Sequence, residues 1–577
     1  MMANMLITAR EGRLWARFGW RDAAIFVAFF AALLAFMHTL QLMTSALDPP
    51  AFSIRLSPSA LPAYAWRSVV RMFLAYGISL AFALTMGRIA AYNRRAEQVL
   101  IPTLDILQSI PVLGFVSVTV TGFMTLFPGS VLGLECVSIV AIFSSMAWNI
   151  AFSFYQSLKT IPRELHEAAV NFRLTPSQRF IKLEVPFAMT GLVWNSMVSF
   201  GSGWFFLAAS EAITVLNHNY QLPGLGSYMA EAVHQKDIAA IVWAIAAIVA
   251  VVVLVDQLFW RPVVAWAQKY RIEGRDDDQP TSVILDILRN SQLQAWFTDR
   301  VLAPTGGWIQ RIIGRMEARE ARRPGHSRFF SLLRWIIAIP LVIIGASLVL
   351  RGVSLAVFSW TLPMIGHTAW LGLLTLLRVT AVVILATIIW VPIGVRIGFS
   401  PKLAKIAQPL VQIGAAFPAN VIFPLITFAF VATGVPLSWG SILLLMVGTQ
   451  WYVLFNVIAG ALQVPADLRE AAQVFGLRGW NRWRRLVLPA IFPSWVTGAL
   501  TAAGGAWNAS IVAEVAVWGD TTLTAPGLGA LITETTQKGD WPGIILSIAM
   551  MCAYVVLLNR FVWQKLYEIA EERFRMT

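Results

Sequence analysis

Two segments of the chain carry a Glu-Ala-Ala sequence with the composition of a short docking helix. The second copy runs from Pro465 through Glu470, Ala471, Ala472 and Gly476 to Pro489. Glutamate and alanine favour helix formation, and small alanine side chains let a helix sit deep in a partner's groove. A glycine after the last turn ends a helix in the left-handed conformation. The chemistry that this pattern indicates is protein recognition, not catalysis.

The first copy differs from the second at the end of its helix. It keeps Glu167, Ala168, Ala169 and the closing Pro186, but Arg173 stands where the second copy has glycine. Arginine adopts the left-handed conformation reluctantly. The sequence therefore leaves the helix end and the turn of the first copy open, and we expect two docking sites that are not equivalent.

The two copies belong to a duplication that extends over most of the chain. A shift of 303 residues places Trp148 on Trp451 and Glu211 on Glu514. Upstream, a shift of 307 residues places Arg71 on Arg378. Many Trp, Pro and Glu matches at one spacing indicate an internal repeat.

The composition shows what these segments are attached to. Of 577 residues, 58% are hydrophobic and 13% are charged, whereas a soluble domain has about 25% charged residues. This excludes a disordered chain, a fibrous chain and an ordinary cytosolic enzyme, and it predicts a polytopic membrane protein. The two cysteines provide neither a disulfide framework nor a metal site.

Twelve apolar stretches are long enough to be considered as spans, which need about 20 residues each. They lie near 23–43, 68–90, 111–127, 131–157, 187–209, 239–260, 332–350, 368–395, 410–432, 438–460, 490–512 and 542–562. The third span of each half is short and contains Pro or Gly, so it is the least secure. We predict an all-α membrane protein of about 12 transmembrane helices in two parallel six-helix repeats.

The net charge of +14 is explained by topology. Arginines and lysines fall in the N-terminal segment and in the second-to-third and fourth-to-fifth connections, and such loops are cytoplasmic. Both termini are therefore expected inside, and no nucleic-acid partner is expected. The domains are residues 1–260, a first repeat; 261–333, a cytoplasmic linker; and 334–577, a second repeat. The linker contains amphipathic runs that predict either helices lying on the membrane surface or a docking site for a partner.

The duplicated loops resemble the EAA loop of binding-protein-dependent ABC importer permeases of the type I fold. In that family the Glu-Ala-Ala helix is a coupling helix that docks into a cleft of a cytoplasmic ATPase. The resemblance implies ATPase-coupling roles for Glu167, Ala168, Ala169, Pro186, Glu470, Ala471, Ala472, Gly476 and Pro489. It also implies an extracytoplasmic solute-binding protein as partner, and a location in the bacterial inner membrane.

A second motif narrows the resemblance. Glu211 is followed by Gly224-Leu225-Gly226, and Glu514 by Gly527-Leu528-Gly529. This arrangement is similar to the nitrate, sulfonate and taurine branch, here duplicated in one chain. It implies import of a small anion such as nitrate, sulfonate, taurine or bicarbonate. The glycines predict a tight turn with positive φ, in preference to direct contact with substrate.

No phosphate-binding Gly-x-x-x-x-Gly-Lys-Ser/Thr loop is present in the sequence. We therefore expect no enzymatic activity and no cofactor in this chain. ATP and Mg²⁺ should be bound by two partner ATPase subunits, because one fused chain already supplies both halves of a channel.

The candidate substrate pathway lies on the fifth span of each half. Asn195, Ser199 and Ser202 share one helical face, and Thr497, Thr501 and Asn508 share another. The repeat pairs Asn195 with Gly498 and Asn508 with Phe205, so a site built from them is asymmetric. The alternative is that these small polar residues serve helix–helix packing.

Four ionisable residues near the outer ends of spans have two interpretations each. Glu211 and Glu514 are outer-gate or binding-protein contacts, or else solvated span ends. Arg71 and Arg378 attract anions at an entrance, or else snorkel to the interface, which we favour. His38 has no counterpart in the repeat and is expected only to cap a polar contact.

Two other classes of function remain open. A secondary carrier also has twelve spans in two parallel halves, but it would need buried ionisable residues and not matched Glu-Ala-Ala loops. A membrane-embedded enzyme would need histidines and carboxylates at one depth, and the six histidines are scattered.

Overall fold

The computed structural model describes residues 20–45, 54–109, 112–215, 218–270, 354 and 357–573. The predicted span at 332–350 and the linker beyond residue 270 lie outside these ranges, so their predictions stay open.

The first half consists of helices, with one short hairpin. Its elements are α1 (Trp20–Met43), α2 (Leu61–Tyr92), α3 (Arg94–Ser109), α4 (Val116–Leu126), α5 (Val131–Lys159), α6 (Arg163–Asn171), α7 (Pro176–Arg179), α8 (Val185–Ser210), β1 (Ala212–Val215), β2 (His218–Gln221), α9 (Leu225–His234), α10 (Ile238–Val255) and α11 (Arg261–Ala267).

The second half repeats this order. Its elements are α12 (Leu362–Gly398), α13 (Pro401–Ala416), α14 (Phe423–Thr433), α15 (Leu437–Leu462), α16 (Ala466–Val474), α17 (Gly479–Arg482), α18 (Leu488–Ala513), β3 (Val515–Trp518), β4 (Thr521–Thr524), α19 (Leu528–Lys538), α20 (Trp541–Leu558) and α21 (Gln564–Arg573).

The repeat extends to backbone irregularities. π-helical segments interrupt the helices at Phe180–Glu184 and Trp483–Val487, and again at Asp256–Trp260 and Asn559–Trp563. Both pairs are separated by the same 303 residues as the sequence motifs. Each half also has a two-stranded antiparallel hairpin directly after its long fifth helix. The parallel duplication predicted from the sequence is therefore present in the fold.

Seven helices in the described ranges are long and apolar enough to cross a membrane. They correspond to seven of the predicted spans, which lie near 68–90, 131–157, 239–260, 368–395, 438–460, 490–512 and 542–562. Helix α8 is 26 residues long, but its many polar residues keep it out of this group. The apolar part of α1, Phe30–Met43, is shorter than the group requires.

The prediction of a continuous ninth span at 410–432 is wrong. Helix α13 ends at Ala416, and α14 starts only at Phe423. Between them Phe417 and Pro418 are extended, with ψ of 128° and 100°, because a residue before proline avoids the helical region. Helix α14 has 11 residues, as does α4 at the corresponding place of the first half. At 1.5 Å per residue each is about 16 Å long, roughly half of a bilayer core.

These short third segments pack against the fifth helix of the opposite half. The Asn420 amide Nδ2 donates to the carbonyl of Phe205 on α8 at 3.2 Å. In the other direction, the Val112 amide donates to Oδ1 of Asn508 on α18 at 2.9 Å. The two halves are therefore interlocked around α8 and α18, and the cavity described below lies between them.

We name the two ends of the bundle by their motifs. The coupling-loop end contains α6 and α16, and the hairpin end contains β1–β2 and β3–β4. At the hairpin end the halves meet again, where the Gly519 amide donates to the carbonyl of Val233 at 3.2 Å. Lys236 Nζ lies 2.9 Å from Oδ2 of Asp520 at the same place.

Candidate functional site

The two Glu-Ala-Ala segments form matching short helices at the coupling-loop end. Helix α6 and helix α16 each have nine residues, and each follows a proline with φ −56° and ψ 144°. Glu167 and Glu470 are exposed on them. Glu167 pairs with Arg163 one turn earlier, at 3.1 Å. The predicted helices are therefore present in both halves.

The helix end and turn of the first loop, which the sequence left open, are the same as those of the second loop. Arg173 has φ 49° and Gly476 has φ 68°, so both residues are left-handed. The Leu174 amide donates to the carbonyl of Ala169 at 3.0 Å, and the Leu477 amide to that of Ala472 at 2.9 Å. These bonds close the helix ends in the same way. The backbone pattern overrides the preference of arginine, which accepts a strained conformation here.

The alanines and the aromatic residues of these helices face opposite ways. Ala169 and Ala472 are buried within the chain, where a larger side chain would separate the helix from the bundle. Phe172 and Phe475, the last residues before the left-handed turns, are 78% and 81% exposed. Exposed aromatic residues at matched positions of two helices form apolar knobs that a partner could cover.

The closing prolines occupy the first turns of the fifth helices. Pro186 is the second residue of α8 and Pro489 the second residue of α18. Each proline lies two residues after a π-helical segment, where the regular i→i−4 hydrogen bonds are already interrupted, so its missing N–H is tolerated. Each coupling segment is thus joined to a fifth helix through one short helix and one π-helical segment.

A cavity of about 350 Å³ lies between the halves. Helices α5, α8, α15, α18 and α20 line it, together with the breaks before α4 and α14. Every residue named in its wall is uncharged, and the polar ones are Gln108, Ser144, Ser145, Asn149, Ser202, Thr449, Tyr452, Thr501, Asn508 and Asn559, besides indoles. In the described ranges no group of three or more His, Cys, Asp or Glu could hold a metal ion.

The predicted pathway residues divide between this cavity and helix packing. Thr501 and Asn508 line the cavity, and Ser202 on α8 does so too. Asn195 instead donates to Oγ of Ser153 at 3.0 Å. Ser199 is buried away from the cavity. The Thr497 hydroxyl lies 3.1 Å from the carbonyl of Pro493 and from the hydroxyl of Tyr567. Whether any of them contacts a solute stays a prediction.

The hairpin end contains a buried ion cluster in the first half. Arg71 Nη1 donates to Oε1 of Glu211 at 2.7 Å, and its Nε and Nη2 donate to both oxygens of Glu135 at 2.6 and 2.7 Å. Ser68 donates to the same Oε1 of Glu211 at 2.6 Å, and the Gly226 amide donates to Oε2 at 2.6 Å. The cluster ties α2, α5 and the end of α8 to the turn before α9.

The second half has the same cluster with one carboxylate fewer. Arg378 Nη1 donates to Oε1 of Glu514 at 2.9 Å, and Thr375 donates to the same oxygen at 2.8 Å. The Gly529 amide donates to Oε2 of Glu514 at 2.8 Å. Ser438 stands at the position of Glu135 in the repeat, and only its carbonyl approaches Arg378.

These clusters correct two expectations. Arg71 and Arg378 do not snorkel, because both are buried and paired. Glu211 and Glu514 are not solvated span ends, because both are fully buried. Their interpretation as an outer gate stays a prediction. His38 is exposed on α1, outside both clusters.

The predicted positive φ of the glycine turns is also wrong. Gly224 and Gly527 are fully extended, with φ of −175° and −177°. Close packing is the reason for glycine, because a Cβ at Gly224 would collide with the carboxylate of Glu211. A Cβ at Gly527 would likewise collide with Glu514.

Two functional candidates escaped the sequence analysis, Glu135 and Glu184. Both are buried. Glu135 lies in the first turns of a predicted span, and an acidic residue there signals an ion pair. Glu184 stands two residues before the closing proline, where the second half has the apolar Val487. Comparison of the two halves position by position would have revealed both.

Residues 83–259 and 390–575 match the family described as binding-protein-dependent transport system inner membrane component. The chain is similar to the bicarbonate transport system permease protein CmpB of Synechococcus elongatus, with 28% identity over 193 residues, 33% of this chain and 66% of the relative. It is also similar to the nitrate import permease protein NrtB of Leptolyngbya laminosa, with 26% identity over 188 residues, 33% of this chain and 64% of the relative.

A third relative is the putative aliphatic sulfonates transport permease protein SsuC of Bacillus subtilis, 25% identical over 185 residues, 30% of this chain and 63% of the relative. The aligned part thus covers slightly less than two thirds of these three relatives. The family match occurs once in each half, which agrees with the duplication.

Proposed function

The chain belongs to the family of binding-protein-dependent transport system inner membrane components, and from this premise we propose that it is the permease of an ATP-driven importer. One chain supplies both halves of the channel. The observation that carries the proposal is the pair of exposed helices, α6 and α16, which present the same backbone at the same end of the bundle.

Docking of two ATPase subunits on these helices is supported by their exposure and their connections. Glu167, Glu470, Phe172 and Phe475 are exposed, and so are Val170 and Val474 beside the two aromatic residues, so each helix presents an apolar surface that a partner can cover. Each helix continues through a π-helical segment into a fifth helix that lines the central cavity. Movement imposed on a docked helix would therefore reach the cavity wall directly.

The cavity suits a small anion in transit. Its wall offers neutral N–H and O–H donors but no charged residue among those described. Neutral donors stabilise an anion enough for entry without holding it too tightly for release. The named activities of the relatives, bicarbonate, nitrate and aliphatic sulfonate transport, favour a small oxyanion for this chain.

The proposal includes the partners and the orientation. A binding protein delivers the solute at the hairpin end, and both termini lie on the cytoplasmic side, as the charge distribution predicts. ATP and Mg²⁺ are bound by the ATPases. A secondary carrier is less well supported, because the buried carboxylates Glu135, Glu184, Glu211 and Glu514 are all paired with arginines and none lines the cavity.

The test is ATP hydrolysis by the chain in proteoliposomes with the ATPase and binding protein encoded beside it. We expect stimulation by one small anion, and only in the presence of the binding protein. Anion uptake driven by an ion gradient without any ATPase would contradict the proposal. Hydrolysis that is coupled to the binding protein but indifferent to every anion would overturn the substrate class alone.

A further inference from the structure

A buried carboxylate lies next to the first coupling helix and has no counterpart in the second half. Glu184 is the last residue of the π-helical segment before α8, and its side chain is 1% exposed. Arg88 Nε on α2 lies 2.9 Å from Oε2 of Glu184, and Arg179 Nε on α7 lies 3.1 Å from Oε1. Both contacts are ion pairs by distance, although their angles depart from hydrogen-bond geometry.

Arg179 extends this network to the coupling helix itself. Its Nη2 donates to Nδ1 of His166 on α6 at 3.0 Å. Its guanidinium carbon lies 4.6 Å from the centre of the Tyr92 ring at the end of α2, which is a cation–π distance. Arg88 Nη2 also donates to the carbonyl of Pro176, the first residue of α7, at 2.8 Å. Helices α2, α6, α7 and α8 therefore meet at Glu184.

The second half holds its coupling helix with apolar and cation–π contacts. The repeat places Val395, Phe399, Arg469 and Val487 at the positions of Arg88, Tyr92, His166 and Glu184. Val395 and Val487 are buried in one apolar cluster with Phe399. The guanidinium carbons of Arg469 and Arg482 lie 5.6 and 5.7 Å from the centre of the Phe399 ring. No carboxylate joins them in the described part of the chain.

We propose that Glu184 is a positioning residue that holds the first coupling helix against the channel through Arg179, and that the second coupling helix needs no such residue. This inference rests on the proposed function, because it specifies how one of the two ATPase contacts is maintained. The consequence is two docking sites with the same backbone but different attachment, one through a buried carboxylate and its arginines and one through apolar and cation–π contacts.

The physical reason is the cost of an unpaired buried charge. Glu184 lies between Arg88 and Arg179 and offsets the repulsion between their positive charges. Neutralising Glu184 removes this compensation, so the two guanidinium groups repel each other. Arg179 is 28% exposed, so it can move toward water. Because Arg179 contacts His166, α6 loses its tether when Arg179 moves. Helix α16 shares none of these contacts.

The test measures the two docking sites separately. Val170 and Val474 stand one turn or less before the left-handed residues and are 69% and 84% exposed. Val170→Cys and Val474→Cys are made singly in a chain with Cys136→Ala and Cys552→Ala, labelled with a benzophenone reagent and irradiated with the partner ATPase in membranes. The yield of cross-linked product is compared with and without Glu184→Gln.

We expect Glu184→Gln to lower the yield at position 170 by at least threefold and to leave the yield at position 474 within experimental error. Glu184→Asp keeps the charge and should retain most of the yield at position 170. Glu97→Gln, which neutralises a carboxylate paired with Lys159 at the same end of the bundle, should change neither. If Glu184→Gln does not reach the membrane, Arg179→Gln tests the same tether from a partly exposed position.

The results separate this inference from the proposed function. Unchanged yields at both positions, or an equal loss at both, in Glu184→Gln or Arg179→Gln would overturn the positioning role. Absence of cross-linking at both positions in the chain with an intact Glu184 would instead contradict ATPase docking.

Discussion

Arg71 and Arg378 occupy the same position in the two halves but have different numbers of acidic partners. Arg71 lies between Glu135 and Glu211, at 2.6 and 2.7 Å, whereas Arg378 has Glu514, at 2.9 Å, as its one acidic partner among the described residues. The same arginine–glutamate pair therefore stabilises the hairpin end of both halves, and the first half adds a second carboxylate.

This difference predicts that neutralising Glu514 destabilises the protein more than neutralising its repeat counterpart, Glu211. Glu514→Gln leaves Arg378 buried with no acidic partner, and breaking a buried pair in this way costs about 3–5 kcal/mol. Glu211→Gln leaves Arg71 with Glu135, so its cost should be clearly smaller. The measurement is the thermal unfolding midpoint of each variant in detergent.

Ser438→Glu supplies the control, because it restores the missing carboxylate of the second half. Combined with Glu514→Gln, it should recover part of the lost stability. Equal midpoints for Glu211→Gln and Glu514→Gln would show that Glu135 does not compensate.

The extended glycines next to these carboxylates predict intolerance of a methyl group. Gly224→Ala and Gly527→Ala place a Cβ against Glu211 and Glu514, so each should lower the yield of folded protein and its unfolding temperature. Gly77→Ala on α2 is the matched control, since no heavy atom lies within 4 Å of its added Cβ. If all three variants behave alike, the carboxylates have room that the structure does not show.

The strained turn after the first coupling helix predicts an unusual stabilising substitution. Arg173 is left-handed at φ 49°, and a non-glycine residue in that region costs about 1–2 kcal/mol. Arg173→Gly should therefore keep ATPase docking and stabilise the loop, whereas Gly476→Ala should destabilise the second loop. The hydrogen-exchange rates of the Leu174 and Leu477 amides measure the stability of the first and the second loop, respectively. Faster exchange at Leu174 in Arg173→Gly would show that the arginine side chain stabilises the turn.

The histidine on the first coupling helix predicts a dependence on pH. Arginine has no acceptor, so the Nδ1 of His166 that meets Arg179 must be unprotonated. Burial and the nearby Arg179 lower the pKa of His166 against an opposing effect of Glu184, and the ring of Tyr92 packs beside it. A lowered pKa means that the folded state binds fewer protons than the unfolded state. The attachment of α6 should thus weaken as pH falls below the ordinary histidine value of about 6.5.

The measurement is the amount of ATPase that co-purifies with the chain between about pH 8 and about pH 5.5, a range that brackets the ordinary pKa of histidine. His166→Gln keeps an acceptor without a titrating ring, so it should flatten the profile. A profile as steep in His166→Gln as in the unaltered chain would assign the dependence to another group.

The all-α membrane fold and its two repeats could be predicted because they depend on composition and periodicity. The coupling helices were equally accessible, since Glu-Ala-Ala between Pro465 and Gly476 determines a helix and its end locally. The turn at Arg173 could not be decided from the sequence, because tertiary context overrides the preference of one residue. Ion pairs across the bundle could not be predicted. Arg71 and Glu135 are 64 positions apart in the sequence, and no local sequence pattern indicates that they are in contact.

The different residues at positions 184 and 487 are possible because both halves are encoded in one chain. In a channel built from two copies of one six-helix polypeptide, a mutation that introduces a glutamate on one side introduces it on the other as well. Here Glu184 and Val487 can change one at a time. Under the proposed function, each half can therefore adapt to a different ATPase, and a pair of non-identical ATPase subunits is compatible with this chain in a way that it is not with a symmetric dimer.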